Sequence, residues 1–376
     1  MSSYEPFPLI EISGDRRQRG HGYGEAARGR IRASIALYSE QIAGLGCDLS
    51  TLATLTDPFA QKITDFAPHL VEEMRYIAEG AGVSFAEILL VNARTEIVQL
   101  ARRRGMAAEP DGCTGIAALP SATADGKLIQ AQNWDWRAEC AETSVVLRIT
   151  GTDGPDILTF TEAGGMARSG LNAAGISITA NYLECDRDYR SFGVPLALIR
   201  RRALEARHLS EALRIVATTP KSAANNMIVG SAEGFAVDFE CAPDETFAIY
   251  PERGLIVHAN HWQSPVALAK LRETGLESVP DSLYRDWRVK EALTPKIGAI
   301  TLADTRSALG DRFGYPYSVC RPPIPGAKGN LSATVARVVM VPADGYLEVT
   351  PMPALNETAG TYRIEPELEP VRATGT

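Results

Sequence analysis

A cysteine follows directly on a glycine in the run Asp111-Gly112-Cys113-Thr114, at the point where the sequence changes texture. Glycine has no Cβ, so the peptide ahead of Cys113 can take strained backbone angles and let the thiol approach the preceding carbonyl. Attack there would move the acyl group from nitrogen to sulfur, and water would then cut the chain. The α-amino group released on Cys113 would have an ordinary pKa of about 7.7–8.0, close to where a general base works best. Nucleophile and base would then sit on one residue, as in a threonine activated by its own terminal amine. By itself the same cysteine also reads as a packed core thiol, because free cysteine is among the most buried residue types.

Other candidates are weaker. His258 and His261 have the i, i+3 spacing of a metal pair, but no HExxH and no cysteine pair accompanies them, so both are expected to be structural and no metal is implied. The alternating glycines Gly20, Gly22 and Gly24 lack the GxGxxG spacing and the βαβ context of a dinucleotide site. Neither a P-loop nor a GxSxG elbow is present, and no cofactor is expected.

The elements that must position Cys113 fall into two parts. Ahead of it, Ile31, Ile35, Tyr38 and Ile42 recur at helical spacing, and Pro68 to Glu79 continues in the same manner. Ser84 and Glu87 form a capping box that predicts a helix running through Leu89, Leu90, Ile97 and Leu100. Arg102, Arg103, Arg104 and Gly105 end it, and a loop is expected over 105–112. From Cys113 onward, short apolar or β-branched runs alternate with turns such as Ala124-Asp125-Gly126 and Thr152-Asp153-Gly154. One helical stretch is predicted from about Pro195 to Ala217. Strands, helices, then strands suggest stacked antiparallel sheets with helices outside, an α+β fold.

Five ordered blocks carry a family resemblance. They are Asp111-Gly112-Cys113-Thr114, then Ala131-Gln132-Asn133-Trp134-Asp135-Trp136, then Glu162-Ala163-Gly164-Gly165-Met166 with Gly170-Leu171-Asn172 and Gly175. His258-Ala259-Asn260-His261 and Tyr315-Pro316-Tyr317-Ser318-Val319-Cys320-Arg321 complete the series. The sequence resembles the acyl-coenzyme A:6-aminopenicillanic acid acyltransferase family of cysteine N-terminal-nucleophile hydrolases over roughly Asp111 to Arg321. That resemblance implies a four-layer αββα sandwich and a precursor cut between Gly112 and Cys113. Residues 1–112 would become a helical α chain, and residues 113–376 a β-rich catalytic chain intertwined with it.

The resemblance assigns Asn260 to hold the oxyanion of the reacting acyl group. Asp135 could accept a hydrogen bond from the protonated amine of Cys113, and Arg321 could pair with Asp135 or keep the Cys113 sulfur anionic. Thr114 and Asn133 are expected to support these groups. Each residue also has a plain reading: a strand-end turn for Asp135, a loop-backbone partner for Asn260, a solvated loop cation for Arg321. Pro322 stands where the family usually has a histidine.

With 38 Lys and Arg against 46 Asp and Glu, the formal charge of −8 repels polyanions and argues against nucleic acid as a partner. No apolar run approaches the ~20 residues needed to span a bilayer, and Met1 to Gly24 does not read as a secretory signal. Six scattered cysteines without CxxC pairs fit reduced thiols, and a cytoplasmic location is expected. The expected reaction is acyl transfer through a Cys113 thioester, with a small N-acyl or amide substrate and water as first-choice acceptor. Transfer from acyl-CoA to an amine stays open. So do an uncleaved thiol hydrolase pairing Cys113 with His258 or His261, a silent binding or assembly homologue, and a homo-oligomer of the α/β pair.

Overall fold

The computed structural model describes residues 4–43, 52–102, 112–151, 153–325 and 331–368. Among the described residues six helices precede Cys113: α1 (Arg16–Ala26), α2 (Arg28–Ala43), α3 (Leu52–Phe66), α4 (Pro68–Ala81), α5 (Phe85–Asn92) and α6 (Arg94–Arg102). Local chemistry starts and stops several of them. Asp15 and Gln18 form a capping box on α1, and Ser84 and Glu87 form the expected one on α5. Pro68 opens α4, and Gly82 closes it in the left-handed region at φ 66°.

The single helix predicted from Ser84 to Leu100 is divided at Ala93, whose φ of −110° breaks the run. The cause is tertiary. The buried Asn92 Nδ2 donates to Ile88 O and to Gly164 O at 2.8 Å, while its Oδ1 accepts from Met166 N at 2.8 Å, which ties the end of α5 to a distant turn. The N-terminal part also holds a strand that helical periodicity could not show, β1 (Leu9–Ile12).

Two sheets follow. The first runs β1-β4-β5-β6-β7-β8-β9-β10, with β4 (Ser144–Ile149), β5 (Ile157–Glu162), β6 (Ser169–Asn172), β7 (Ile176–Tyr182), β8 (Asn225–Ser231), β9 (Ala236–Cys241) and β10 (Thr246–Ile249). It is antiparallel except at its edge, where β1 lies parallel to β4. The second runs β11-β2-β3-β13-β14-β15, with β2 (Gly112–Ala118), β3 (Ile129–Arg137), β11 (Leu255–His258), β13 (Leu331–Val341), β14 (Tyr346–Pro351) and β15 (Gly360–Arg363). The short β12 (Ile324–Pro325) adds to β13.

The sheets pack face to face through β2 and β3 against β7 and β8. Outside the first lie α8 (Leu196–Leu204) and α9 (Leu209–Thr218), two helices where the sequence predicted one stretch. Outside the second lie α11 (Ser282–Leu293) and α12 (Leu302–Leu309). Two short helices, α7 (Cys140–Thr143) and α10 (Pro265–Leu268), lie in connections, and α1–α6 reach the first sheet through β1, α7 and α8.

The result is the expected four-layer αββα sandwich. Both faces of β2 are covered: Ile116 packs among Val289, Leu293 and Leu309 of the outer helices, whereas Ala117 packs with Ile228 of the facing sheet. Polar side chains also cross between the sheets. Gln130 Nε2 donates to Thr179 Oγ1 and to Ile228 O, and Gln132 Nε2 donates to Asn181 Oδ1, so the facing layers are fixed in register as well as packed. Among the described residues no helix is long and apolar enough to cross a membrane.

Candidate active site

Strand register places the motif residues. In the β2–β3 ladder Gly112 lies opposite Asp135, Cys113 opposite Trp134 and Thr114 opposite Asn133. Opposed residues share a face, and successive residues alternate. Gly112, Thr114, Asn133 and Asp135 therefore point toward α11 and α12, while Cys113 and Trp134 point toward the first sheet. β11 pairs with β2 so that His258 lies opposite Gly115, which brings the residues just beyond the strand end alongside Cys113.

Asn260 occupies that position. Cys113 N donates to Asn260 Oδ1 at 2.8 Å, and both residues are buried. One N–H of Asn260 Nδ2 donates to Tyr182 O at 2.9 Å, and its backbone N donates to Ser282 Oγ at 2.7 Å. Arg321 is fully buried. Its backbone N donates to Thr334 Oγ1 at 2.8 Å, so Pro322 does not turn it away from the site. Its Nε lies 3.4 Å from Asp135 Oδ2, and its Nη2 donates to Asp281 Oδ2. Asp135 Oδ1 accepts from Thr334 Oγ1 at 2.6 Å.

Gly112 lies flush against this pair. A Cβ built on it would stand 2.7 Å from Asp135 Oδ2 and 2.9 Å from Arg321 Cζ, so no side chain fits without displacing a buried charge. Among the described residues, Asp135 Oδ2 and Arg321 Nη1 are buried without hydrogen-bond partners, and both border the Gly112 backbone.

Two further residues complete the cluster, and sequence reading did not single them out. Arg285 of α11, fully buried, donates through Nη1 to Cys113 O at 2.7 Å and to Thr114 Oγ1 at 3.0 Å. Its Nη2 donates to Asn260 Oδ1 at 2.8 Å, and its Nε donates to Asp281 Oδ2 at 2.7 Å. With two donors on Asn260 Oδ1, the amide is fixed with Nδ2 turned the other way. Asp281 and Arg285 stand at i and i+4, the spacing of an ordinary surface pair, and no local signal marks them as buried.

Two carboxylates and two guanidiniums thus interlock around the Gly112–Cys113 peptide. Burial pushes the Asp135 carboxyl above its usual range, opposed by Arg321 and Arg285. Burial acts the same way on Asp281, but Arg285 and Arg321 outweigh it and hold that carboxyl low. Against burial, Asp135, Asp281 and Cys113 keep the Arg321 guanidinium charged.

Asn133 and Thr114 serve the walls. Asn133 Nδ2 donates to Leu309 O and Val319 O, joining β3 to α12 and to the loop that carries Arg321. His258 and His261 are engaged elsewhere. His258 bridges Glu240 Oε1 at 2.8 Å and Ala259 O at 3.0 Å, and His261 Nδ1 meets Ser282 Oγ at 2.8 Å. Neither pairs with Cys113. Cys113, Cys140, Cys185, Cys241 and Cys320 are buried, and no disulfide joins any of these five; Cys47, Thr152, the 105–111 part of the loop expected over 105–112 and residues 326–329 lie outside the described residues.

Residues 121–345 match the family described as acyl-coenzyme A:6-aminopenicillanic acid acyl-transferase, a span that contains Asp135, Asn260 and Arg321 and begins after Cys113. The chain is 30% identical over 326 residues to the acyl-coenzyme A:6-aminopenicillanic-acid-acyltransferase 40 kDa form of Emericella nidulans, covering 83% of this chain and 84% of that protein. Among solved structures it is similar to a variant of the conjugated bile acid hydrolase of Clostridium perfringens (TM-score 0.44, 14% identity, 69% of this chain and 100% of that one). Penicillin V acylase from Agrobacterium tumefaciens is similar at TM-score 0.44 and 13% identity, over 67% of this chain and 86% of that one.

Proposed function

The chain belongs to the acyl-coenzyme A:6-aminopenicillanic acid acyltransferase family, and from that premise we propose that it is a self-processing enzyme that cuts itself between Gly112 and Cys113 and then moves acyl groups through a Cys113 thioester. The observation that carries this reading is the convergence on one peptide. Asn260 and Arg285 hold the two sides of Cys113, and the Asp135–Arg321 pair borders Gly112 where only glycine fits.

In maturation the Cys113 sulfur attacks the Gly112 carbonyl and the amide nitrogen leaves with a proton, giving a thioester and a free α-amine. Water then hydrolyses the thioester, leaving a Gly112 carboxylate and the Cys113 thiol. In turnover that amine takes the thiol proton, the thiolate attacks the substrate carbonyl, and the proton passes to the leaving amine. The second N–H of Asn260 Nδ2 stabilises the oxyanion. Asp135 accepts from the ammonium of Cys113 through Oδ2, which has no hydrogen-bond donor among the described residues.

Hydrolysis of a small amide is the first reading, since water is always at hand and a transferase must also exclude it. Transfer from an acyl thioester to an amine is the second, favoured by the Emericella nidulans relative. Intact-mass measurement of the purified protein tests the proposal: two chains meeting at residue 113 are expected, and one chain for Cys113→Ala. An unbroken wild-type chain that turns over amides would overturn self-processing, and an unbroken inert chain would leave a binding or assembly role. Product analysis with N-acyl amides, and with acyl-CoA with and without an amine, separates the two acceptors.

A further inference from the structure

Asn260 sits in the turn that joins β11 to α10, and much of what fixes this turn comes from the facing sheet. Glu240 of β9, fully buried, gathers three donors from its two ends. Ahead of Asn260, His258 Nε2 meets Glu240 Oε1 at 2.8 Å; after it, Gln263 N donates to the same oxygen and Ser264 N donates to Oε2 at 3.0 Å. Both oxygens are used, and the chain from His258 to Ser264 closes on one side chain.

His258 carries that hold one step further. Its Nδ1 meets Ala259 O, the carbonyl of the peptide that leads into Asn260, at 3.0 Å. A carboxylate and a carbonyl can only accept, so both ring nitrogens carry protons and the imidazole is charged. Burial works against this charge, but Asp238 and Glu240 outweigh burial and push the pKa up to about 9. Asn181 of β7 bonds the same stretch of backbone, donating from Nδ2 to His258 O at 2.8 Å and to Ala259 O at 3.0 Å.

A buried ion pair is often no more stable than apolar residues of the same volume, so stability is a poor reason for Glu240 and His258 to lie between the sheets. What the pair supplies is place. One N–H of Asn260 Nδ2 bonds Tyr182 O and the other must meet an oxyanion, and an error of about 1 Å in such a group can cost about 10²-fold in rate.

We infer that Glu240 is a positioning residue for acyl transfer: by holding the His258 ring and the chain beyond Asn260, it sets where the Asn260 amide stands beside Cys113. The inference rests on the reading of Asn260 as oxyanion donor and Cys113 as nucleophile.

Above about pH 9 the ring has one proton left and can donate only one of its two bonds. The titratable groups facing it among the described residues are Asp238 and Glu240 of β9 and His261 of its own turn, which stacks on it with centroids 6.3 Å apart. Burial pushes the Asp238 carboxyl up to about 6 and the His261 ring down to about 4, so both change charge well below that range. The test follows kcat and KM of the wild type on an N-acyl amide from pH 8 to 10. Because the oxyanion exists only in the transition state, kcat is expected to fall about threefold or more through pH 9 while KM stays within about twofold. A flat kcat would overturn the inference, and that measurement needs no variant to fold. In Glu240→Gln, which has one accepting oxygen in place of two, kcat at pH 8 should drop about tenfold and the alkaline fall should move to lower pH. Added to Asn260→Ala the same change should cost nothing more, and an unmoved fall or multiplied losses would also overturn it. If the wild type turns over no amide, hydrogen exchange at residue 113 in the uncut Cys113→Ala chain decides, since that N–H donates to Asn260 Oδ1. Faster exchange on adding Glu240→Gln, or His258→Gln should the first not fold, upholds the positioning while the nucleophile reading fails; unchanged exchange sinks the positioning.

Discussion

At Gly112 the absence of a side chain is what the surroundings require. Asp135 Oδ2 would stand 2.7 Å from a Cβ there, and both neighbours are buried charges that cannot give way cheaply. Gly112→Ala is expected to cost about 1–3 kcal/mol of precursor stability through overpacking and to slow the cut. A time course of intact mass checks this: uncut chain should accumulate, and wild-type kinetics would contradict the crowding argument. The residues around Gly112 were legible because their chemistry is local to short motifs. Cys113, Asp135, Asn260 and Arg321 stand far apart in sequence, yet strand register gathers the first three at one peptide and the loop after Cys320 brings Arg321 to them.

Among the elements, α11 had the least visible part. Its Arg285 fixes which way the Asn260 amide faces, and Asp281 at the head of the helix clamps Arg285 and Arg321 together. Breaking a buried pair by removing one partner costs about 3–5 kcal/mol, so Arg285→Met should lower Tm clearly. If Arg285 also acts through Asn260, the rate losses should not add. Asn260→Ala is expected to lower kcat by about 10²- to 10³-fold, the loss of one oxyanion donor. Adding Arg285→Met should lower it little further, and a fully additive double variant would refute the coupling. The capping box of α5 was readable because it is written within four residues; its end was not, because the bonds of Asn92 that stop it reach Gly164 and Met166.

Across the whole molecule, charge is buried as well as apolar surface. His258 lies between Asp238 and Glu240 in the facing sheet, and its pKa is pushed up to about 9: burial works to lower it, and the two carboxylates outweigh burial. A folded-state pKa above the unfolded value near 6.5 gives stability that is fully present below 6.5 and is lost as pH rises through about 9. The difference is on the order of 3 kcal/mol. Tm is therefore expected to fall between those pH values in wild type and to fall less in Asp238→Asn, which removes the larger opposing charge; parallel slopes would contradict the account. The alternation of strands and helices suggested stacked antiparallel sheets with helices outside, and the family resemblance implied the four layers. It could not foretell β1, whose four residues gain their place only by lying parallel to β4. That edge strand belongs to the segment ahead of Gly112, and Tyr23 and Asn92 of the same segment bond the turn after β5. A molecule cut at Gly112 would thus keep both pieces while native, but once denatured they would separate, and each would have to meet a counterpart by diffusion before the first sheet could regain its border.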